Sequence, residues 1–166
     1  CFLDNGDIVL ADRNSKHCLY YRNKNLLRKI SLRGTPQDVI FRKPSELLIS
    51  TNANSKGYIE HYDLDELQKF PNVTENQTFV YHLAISSEFI YVACSTFIMK
   101  LDHKGNTVGK ITVDSLTYSV AVNKQQEIIS SSCSTDNVTV MNLSLIHISE
   151  PTLSLIHISE PTRPLY

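Results

Sequence analysis

Glycine is scarce in this chain, five residues in 166, and the four cysteines stand far apart at positions 1, 18, 94 and 133. So little glycine leaves no phosphate-cradling loop, and neither a G-x-S-x-G nucleophile elbow nor an H-E-x-x-H zinc helix occurs. Cysteines this widely spaced form neither a C-x-x-C redox pair nor a zinc knuckle. They read as small buried residues, which favours a reducing compartment and a cytoplasmic location. No apolar run approaches the ~18 residues of a spanning helix, so no membrane contact is expected. Charge of one sign is lacking too, because 16 basic and 17 acidic residues nearly cancel. No global field therefore directs the chain to nucleic acid or a membrane surface.

What is present begins with a duplication. Leu143–Thr152 (LSLIHISEPT) recurs unchanged as Leu153–Thr162 and is followed by RPLY. Natural repeats diverge, and this string resembles the conceptual translation of an adapter used in sequencing libraries. Residues 143–166 are therefore expected to be foreign and are set aside before the fold is considered. A genuine ten-residue duplication is the alternative. The chain starts at Cys1, so residues 1–142 are expected to be an internal fragment cut at both ends. Without Arg163, Glu150 and Glu160, the remaining 15 basic and 15 acidic residues balance. Sequons at Asn72, Asn76 and Asn137 would matter only in a secreted protein.

Short apolar runs recur down the remainder: DIVLA from Asp7, ELLIS from Glu46, FIYVA from Phe89 and EIISS from Glu127, with starts 39, 43 and 38 residues apart. A second series follows each run by a turn: HCLYY from His17, GYIEHYD from Gly57, TFIMKLD from Thr96 and NVTVMN from Asn137. A third precedes all but the first: PQDVIF from Pro36, YHLAIS from Tyr81 and TYSVAV from Thr117. A fourth is clearest in two copies, NLLRKISLRG from Asn25 and NTVGKITVDS from Asn106. Four strand candidates per period of about forty residues is the spacing of a β-propeller blade. The runs are rich in Ile, Val, Tyr, Phe and Thr and bounded by Asn, Asp, Gly, Ser and Lys, as short antiparallel strands require. Only Asp63–Phe70 has the pattern of a helical turn, with Asp63 as its cap and Pro71 stopping it. The apolar second run of each repeat fits a strand covered on both faces, which predicts Val9, Leu48, Tyr91 and Ile129 as core.

Gly6, Asp7, Ile8, Val9, Ala11 and Asp12 match the second element of the NHL repeat, and Pro36-Gln37-Asp38-Val39 resembles its first element, with Asp38 in place of glycine. Later copies depart from it, with Ser50-Thr51 and Ala93-Cys94 where Ala-Asp is usual. Residues 1–142 thus resemble the NHL-repeat β-propeller that ends many tripartite-motif and B-box proteins. The resemblance implies an all-β fold, a partial β-propeller of about four four-stranded antiparallel blades from an incomplete six-bladed ring. The strand count is three for the first blade, four for each of two full blades, and three for the last. It also implies a non-catalytic module that binds a protein partner, within a parent that carries ubiquitin-ligase activity on a RING domain elsewhere. No RING or B-box cysteine–histidine pattern occurs in this chain.

Arg13 to Lys43 holds nine basic residues and one acid, Asp38. Successive connections in an antiparallel blade alternate between its two ends. That sorting puts Arg13, Lys16, His17, Arg33 and Lys56 on one end as the candidate binding residues, with Arg22, Lys24, Arg42 and Lys43 on the other. Such a face suits a protein partner, with RNA as the alternative; a solvated surface is the plain reading. Tyr20, Tyr21, Tyr58 and Tyr62 have the rings to stack on bases, but bulk between blades explains them better. His61, His82 and His103 share no register, and no metal, cofactor or catalytic residue is expected. Propeller lyases and hydrolases of related families remain the enzyme alternative. Asp12, Asp38, Asp63 and Asp102 open or close strands, where carboxylates accept backbone N–H bonds.

Overall fold

A computed structural model describes residues 1, 6–43, 45–65, 74–76, 78–113, 116–132 and 137–142, with the backbone alone for 74–76. The expected foreign tail and most of the proposed helical turn, residues 66–70, lie outside the described residues. No helix occurs among the described residues, which form fourteen strands in four antiparallel sheets. The first sheet contains β1 (Ile8–Asp12), β2 (His17–Arg22) and β3 (Asn25–Ser31). The second contains β4 (Thr35–Lys43), β5 (Glu46–Ala53), β6 (Lys56–Asp63) and β7 (Thr74–Asn76), and the third β8 (Val80–Ile85), β9 (Ile90–Cys94), β10 (Phe97–Leu101) and β11 (Thr107–Thr112). The fourth contains β12 (Thr117–Val122), β13 (Glu127–Ser132) and β14 (Val138–Asn142). Three, four, four and three strands match the expected count. In the first sheet, Cys1 exchanges two backbone hydrogen bonds of 2.9 Å with Val9, beside β1 where the other sheets carry their first strand. The short polar β7 had no apolar signal by which to be found.

Turn chemistry sets the strand ends. Asn23-Lys24 joins β2 to β3 and Asn54-Ser55 joins β5 to β6, and all four residues take positive φ between 50° and 65°. Two-residue loops of this kind follow the right-handed twist of the strands they connect, and asparagine enters that region cheaply. Asp12, Asp63 and Asp102 close strands as expected, accepting N–H bonds from Asn14, Asp65 and both Lys104 and Asn106 respectively.

Consecutive sheets stack face to face through three separate apolar clusters. Val9, Cys18, Tyr20 and Ile30 of the first sheet meet Val39, Leu47 and Ile49 of the second. Leu48 and Ile59 on the opposite face of the second meet Leu83, Ile90, Val92 and Cys94 of the third. Tyr91, Ala93 and Ile98 then meet Val120, Ile128 and Met141 of the fourth. Side chains alternate across a strand, so β5 and β9, packed on both faces, need apolar residues at successive positions. Burying each large side chain contributes about 1.5–3 kcal/mol, so these junctions dominate the fold.

Three of the four predicted core positions, Val9, Leu48 and Tyr91, are fully buried. Ile129 is a correction: it is only half-buried, and its neighbour Ile128 is the buried residue. In β13 only the face toward the third sheet is covered by described residues, so burial there alternates instead of running continuously.

Candidate functional site

The three connections that carry the predicted binding residues lie at one end of the stack. Asp12 shapes the β1–β2 turn, accepting the Asn14 N–H at 3.1 Å and the Ser15 hydroxyl. The Ser15 hydrogen bond and then the Asn14 N–H hold its carboxyl below the usual carboxylate range. Lys16 follows in a left-handed conformation with φ 55°, its carbonyl accepting the Leu32 N–H, and its side chain is exposed. His17 turns its Nδ1 back onto the Ser15 carbonyl, so its ring serves the turn.

Arg13 and Arg33 converge on the junction of the first two sheets, and each is tied into it. Arg13 donates from Nη2 to Oε1 of Gln37 at 3.1 Å. The Arg33 N–H donates to Oε1 of Glu60 at 3.0 Å, and its guanidinium lies over the Tyr58 ring, 5.2 Å from the centroid. Lys56 follows the Asn54-Ser55 turn at the same end of the second sheet and is half-buried. The structure thus joins Arg13 and Arg33 at one junction, with Lys16 and Lys56 on the flanking turns.

The two ends of the stack differ in how their charges are balanced. At the opposite end, Arg22 Nε lies 2.9 Å from Asp7, and Lys43 Nζ lies 3.3 Å from Glu46. Arg42 donates from Nε to Glu46 at 2.6 Å and from Nη1 to the His103 carbonyl. Arg13, Lys16 and Arg33 have no carboxylate ion pair among the described residues. Their field is moderated by Asp12 in the same turn and by Glu60 beneath Arg33.

Glu60 is the component that the sequence reading missed. It is 1 % exposed, and its Oε1 accepts both the Arg33 N–H and the Thr51 hydroxyl, the latter at 2.8 Å. A buried carboxylate is costly unless such donors surround it. An acid in the otherwise apolar Gly57–Ile59 context was the available signal. Three of the four tyrosines behave as packing residues, and Tyr21 lies on the outer face of the first sheet. Tyr20 and Tyr58 are buried, Tyr62 packs on the first junction, and Tyr21 is half-buried.

The same end carries a row of polar links between sheets that was also unforeseen. Asn52 donates its amide to the Val80 carbonyl at 2.8 Å and accepts the Val80 N–H at 2.9 Å, as a neighbouring strand would. Ser50 donates to the Tyr81 carbonyl at 2.6 Å, and Asp38 accepts the Leu83 N–H at 2.9 Å. One repeat later, the Ser95 carbonyl accepts the Thr117 N–H at 3.0 Å, and His82 meets the Val120 carbonyl at 3.1 Å. Arg13, Asn52 and Ser95 occupy equivalent positions, just past the second run of their repeats, and each bonds to the first strand of the next sheet.

The histidines stay apart. His61 is buried behind Arg42 and Glu46, His82 lies 3.6 Å from Asp38, and His103 contacts the Ser87 carbonyl. Among the described residues, no three His, Cys, Asp or Glu side chains gather where a metal ion could bind.

The sequence matches no family model, and no curated protein matches it. Solved structures do resemble the fold. U3-55K aligns at 11 % identity with a TM-score of 0.73, over 86 % of this chain and 47 % of its own. BBS1N, solved in complex with ARL6DN, aligns at 10 % identity with a TM-score of 0.66, over 85 % of this chain and 48 % of its own. Virginiamycin B lyase from Staphylococcus aureus aligns at 9 % identity with a TM-score of 0.64, over 86 % and 54 %. The chain spans about half the length of these solved chains. At such identities the likeness concerns architecture alone, and it establishes an all-β, propeller-like fold of four stacked antiparallel sheets.

Proposed function

We propose that this chain is a non-catalytic protein-binding module that recognises a partner through the end bearing Arg13, Lys16, Arg33 and Lys56. The observation that carries the reading is the difference between the two ends. Among the described residues, Arg22, Arg42 and Lys43 at one end are neutralised by Asp7 and Glu46 and Lys24 alone of the four named there has no ion pair, while Arg13, Lys16 and Arg33 are all presented without a carboxylate partner. Arg13 and Arg33 are also held by Gln37 and Tyr58, so less side-chain freedom is lost on binding than for a free surface arginine. Arginine is well suited to such a role, because its planar fork pairs with carboxylates in two places. Protein binding by a related architecture is exemplified by BBS1N in its complex with ARL6DN.

The finer reading is a substrate-recognition platform of a tripartite-motif or B-box protein, whose ligase activity resides on another domain. The Gly6–Asn25 resemblance to an NHL repeat supports it. The buried free thiol of Cys18 supports a reducing, cytoplasmic setting.

The test places a photo-crosslinking residue at Lys16 in the full chain and compares crosslinked species with and without the changes Arg13→Glu and Arg33→Glu. The expected result is a discrete protein adduct that the charge-reversed face loses. Adducts that persist unchanged would place binding elsewhere. Capture of RNA, with affinity falling linearly on a log–log plot against salt, would replace a protein partner with a nucleic acid.

A further inference from the structure

Each internal junction pairs the same two kinds of face. The leading face of a sheet, represented by Leu47 and Ile49 in the second, docks on the trailing face of the sheet before it, represented by Val9 and Tyr20 in the first. The next two junctions repeat this polarity, and none pairs two leading or two trailing faces. One face of each kind is left uncovered by described residues at the ends of the stack.

Both uncovered faces carry clusters of apolar side chains, interrupted by Lys29 beside Leu19 on the first sheet and by Ser119 and Ser131 on the fourth. Residues paired across an antiparallel ladder project to the same side. Opposite the buried Val9–Tyr20 row, Leu10 pairs with Leu19, and Tyr21 pairs with Leu26. Leu10 is 47 % exposed and Leu26 is 51 % exposed, so this leading face is open. In the fourth sheet, Ile129 pairs with Val140 and Ser131 with Val138, on the side away from the third sheet. Val140 and Val138 are 40 % and 63 % exposed.

The repeat register makes the two faces complementary. Aligning the apolar runs from Asp7, Glu46 and Glu127 puts Leu10 at the position of Ile49 and Ile129 at the position of Val9. Val140 then stands where Tyr20 does, since it pairs with Ile129 as Tyr20 pairs with Val9. Ile49 and Tyr20 belong to one buried cluster. A leading face of one copy therefore meets on the trailing face of another the chemistry it meets inside the molecule.

We propose that two copies of this chain associate head to tail, the Leu10 face of each docking on the Val140 face of the other, so that eight sheets close on themselves. A head-to-tail contact must either close or grow without limit. Closure at two copies fits the solved chains of similar architecture, of which this chain spans 47 %, 48 % and 54 %. The inference concerns self-association and stands independently of any partner at the Arg13–Arg33 end.

Sedimentation velocity of the full 166-residue chain, from about 1 to about 100 µM, tests it. The expected species has twice the 18.8 kDa mass of one copy. Leu10→Lys and Val140→Glu each add a charge at an exposed position, and far-UV circular dichroism checks that both variants keep their strands. Each variant alone is expected to be monomeric. An equimolar mixture is expected to regain the two-copy species, because one junction sets the new lysine against the new glutamate and the other keeps both native residues. A monomer throughout the range overturns the proposal and leaves these faces to repeats of a longer chain. Open-ended growth overturns closure. Persistence of the two-copy species in Val140→Glu overturns the head-to-tail geometry.

Discussion

Asn52 shows how a single side chain can substitute for a length of strand pairing. Its amide satisfies both the N–H and the carbonyl of Val80, which lies in the next sheet. Asn52→Ala leaves those groups without partners and is expected to cost about 1–3 kcal/mol, read as a lower urea midpoint at unchanged slope. Gly34 sits under the same residue, where an added Cβ would come within 2.4 Å of the Asn52 carbonyl oxygen. Gly34→Ala forces backbone apart and is expected to lower stability by a similar amount, about 1–3 kcal/mol. At Cys18, burial pushes the thiol up to about 12, so almost no thiolate exists near neutrality. Cys94 is buried as well and Cys1 is exposed. Alkylation of the native protein followed by peptide mapping is expected to find Cys1 modified well before Cys18 or Cys94.

At the scale of the element, β5 and β9 hold the stack together because both of their faces are covered. That explains why ELLIS and FIYVA read as continuous apolar runs, and why Ile129 in β13 did not follow the same rule. A strand's own residues report its periodicity, but which face a neighbour covers depends on the neighbour. Burial sets the pH response of β6. His61 is buried, which disfavours its charged form, and the Arg42 charge adds to this while Glu46 opposes it, so its pKa lies below the usual 6.5. The unfolded chain therefore binds this proton first as pH falls, and stability declines below about 6.5 while staying level above it. Glu46 adds a later loss in more acid solution. Burial alone would raise its pKa, but the hydrogen bond and charge of Arg42, with Lys43, bring it below 4.5. Urea titrations from pH 8 to about 5 are expected to show the first decline, flattened in His61→Gln. A decline of equal slope in that variant would assign the titration to another group.

For the whole molecule, stability is a sum of sheets and the junctions between them, as in other repeat architectures. The second and third sheets each have two described junctions, and the first and fourth have one. Hydrogen exchange in the monomeric Leu10→Lys variant is expected to be slowest in β5 and β9 and fastest in β3 and β14. Equal protection in all four sheets of the unsubstituted chain would mean that the uncovered faces are occupied in solution, and two-copy association would then move with that protection.

Apart from β7, whose place followed only from the repeat, the strands, their sheet membership and the sorting of connections to two ends were legible because antiparallel alternation is local: each follows from run length, turn residues and parity. Val9, Leu48 and Tyr91 were legible as core for the same reason. The polar contacts were not. Nothing near Asn52 in the sequence points to Val80, and nothing near Arg33 points to Tyr58 and Glu60, because those partners are 25 or more positions away and meet only when sheets stack. The sequence alone thus determined that this chain forms short antiparallel strands in repeats of about forty residues and which cations share an end. Tertiary structure decided which of those cations are neutralised, which faces are buried and which stay open. Those outcomes depend on distances between sheets, and no local pattern of residues encodes them.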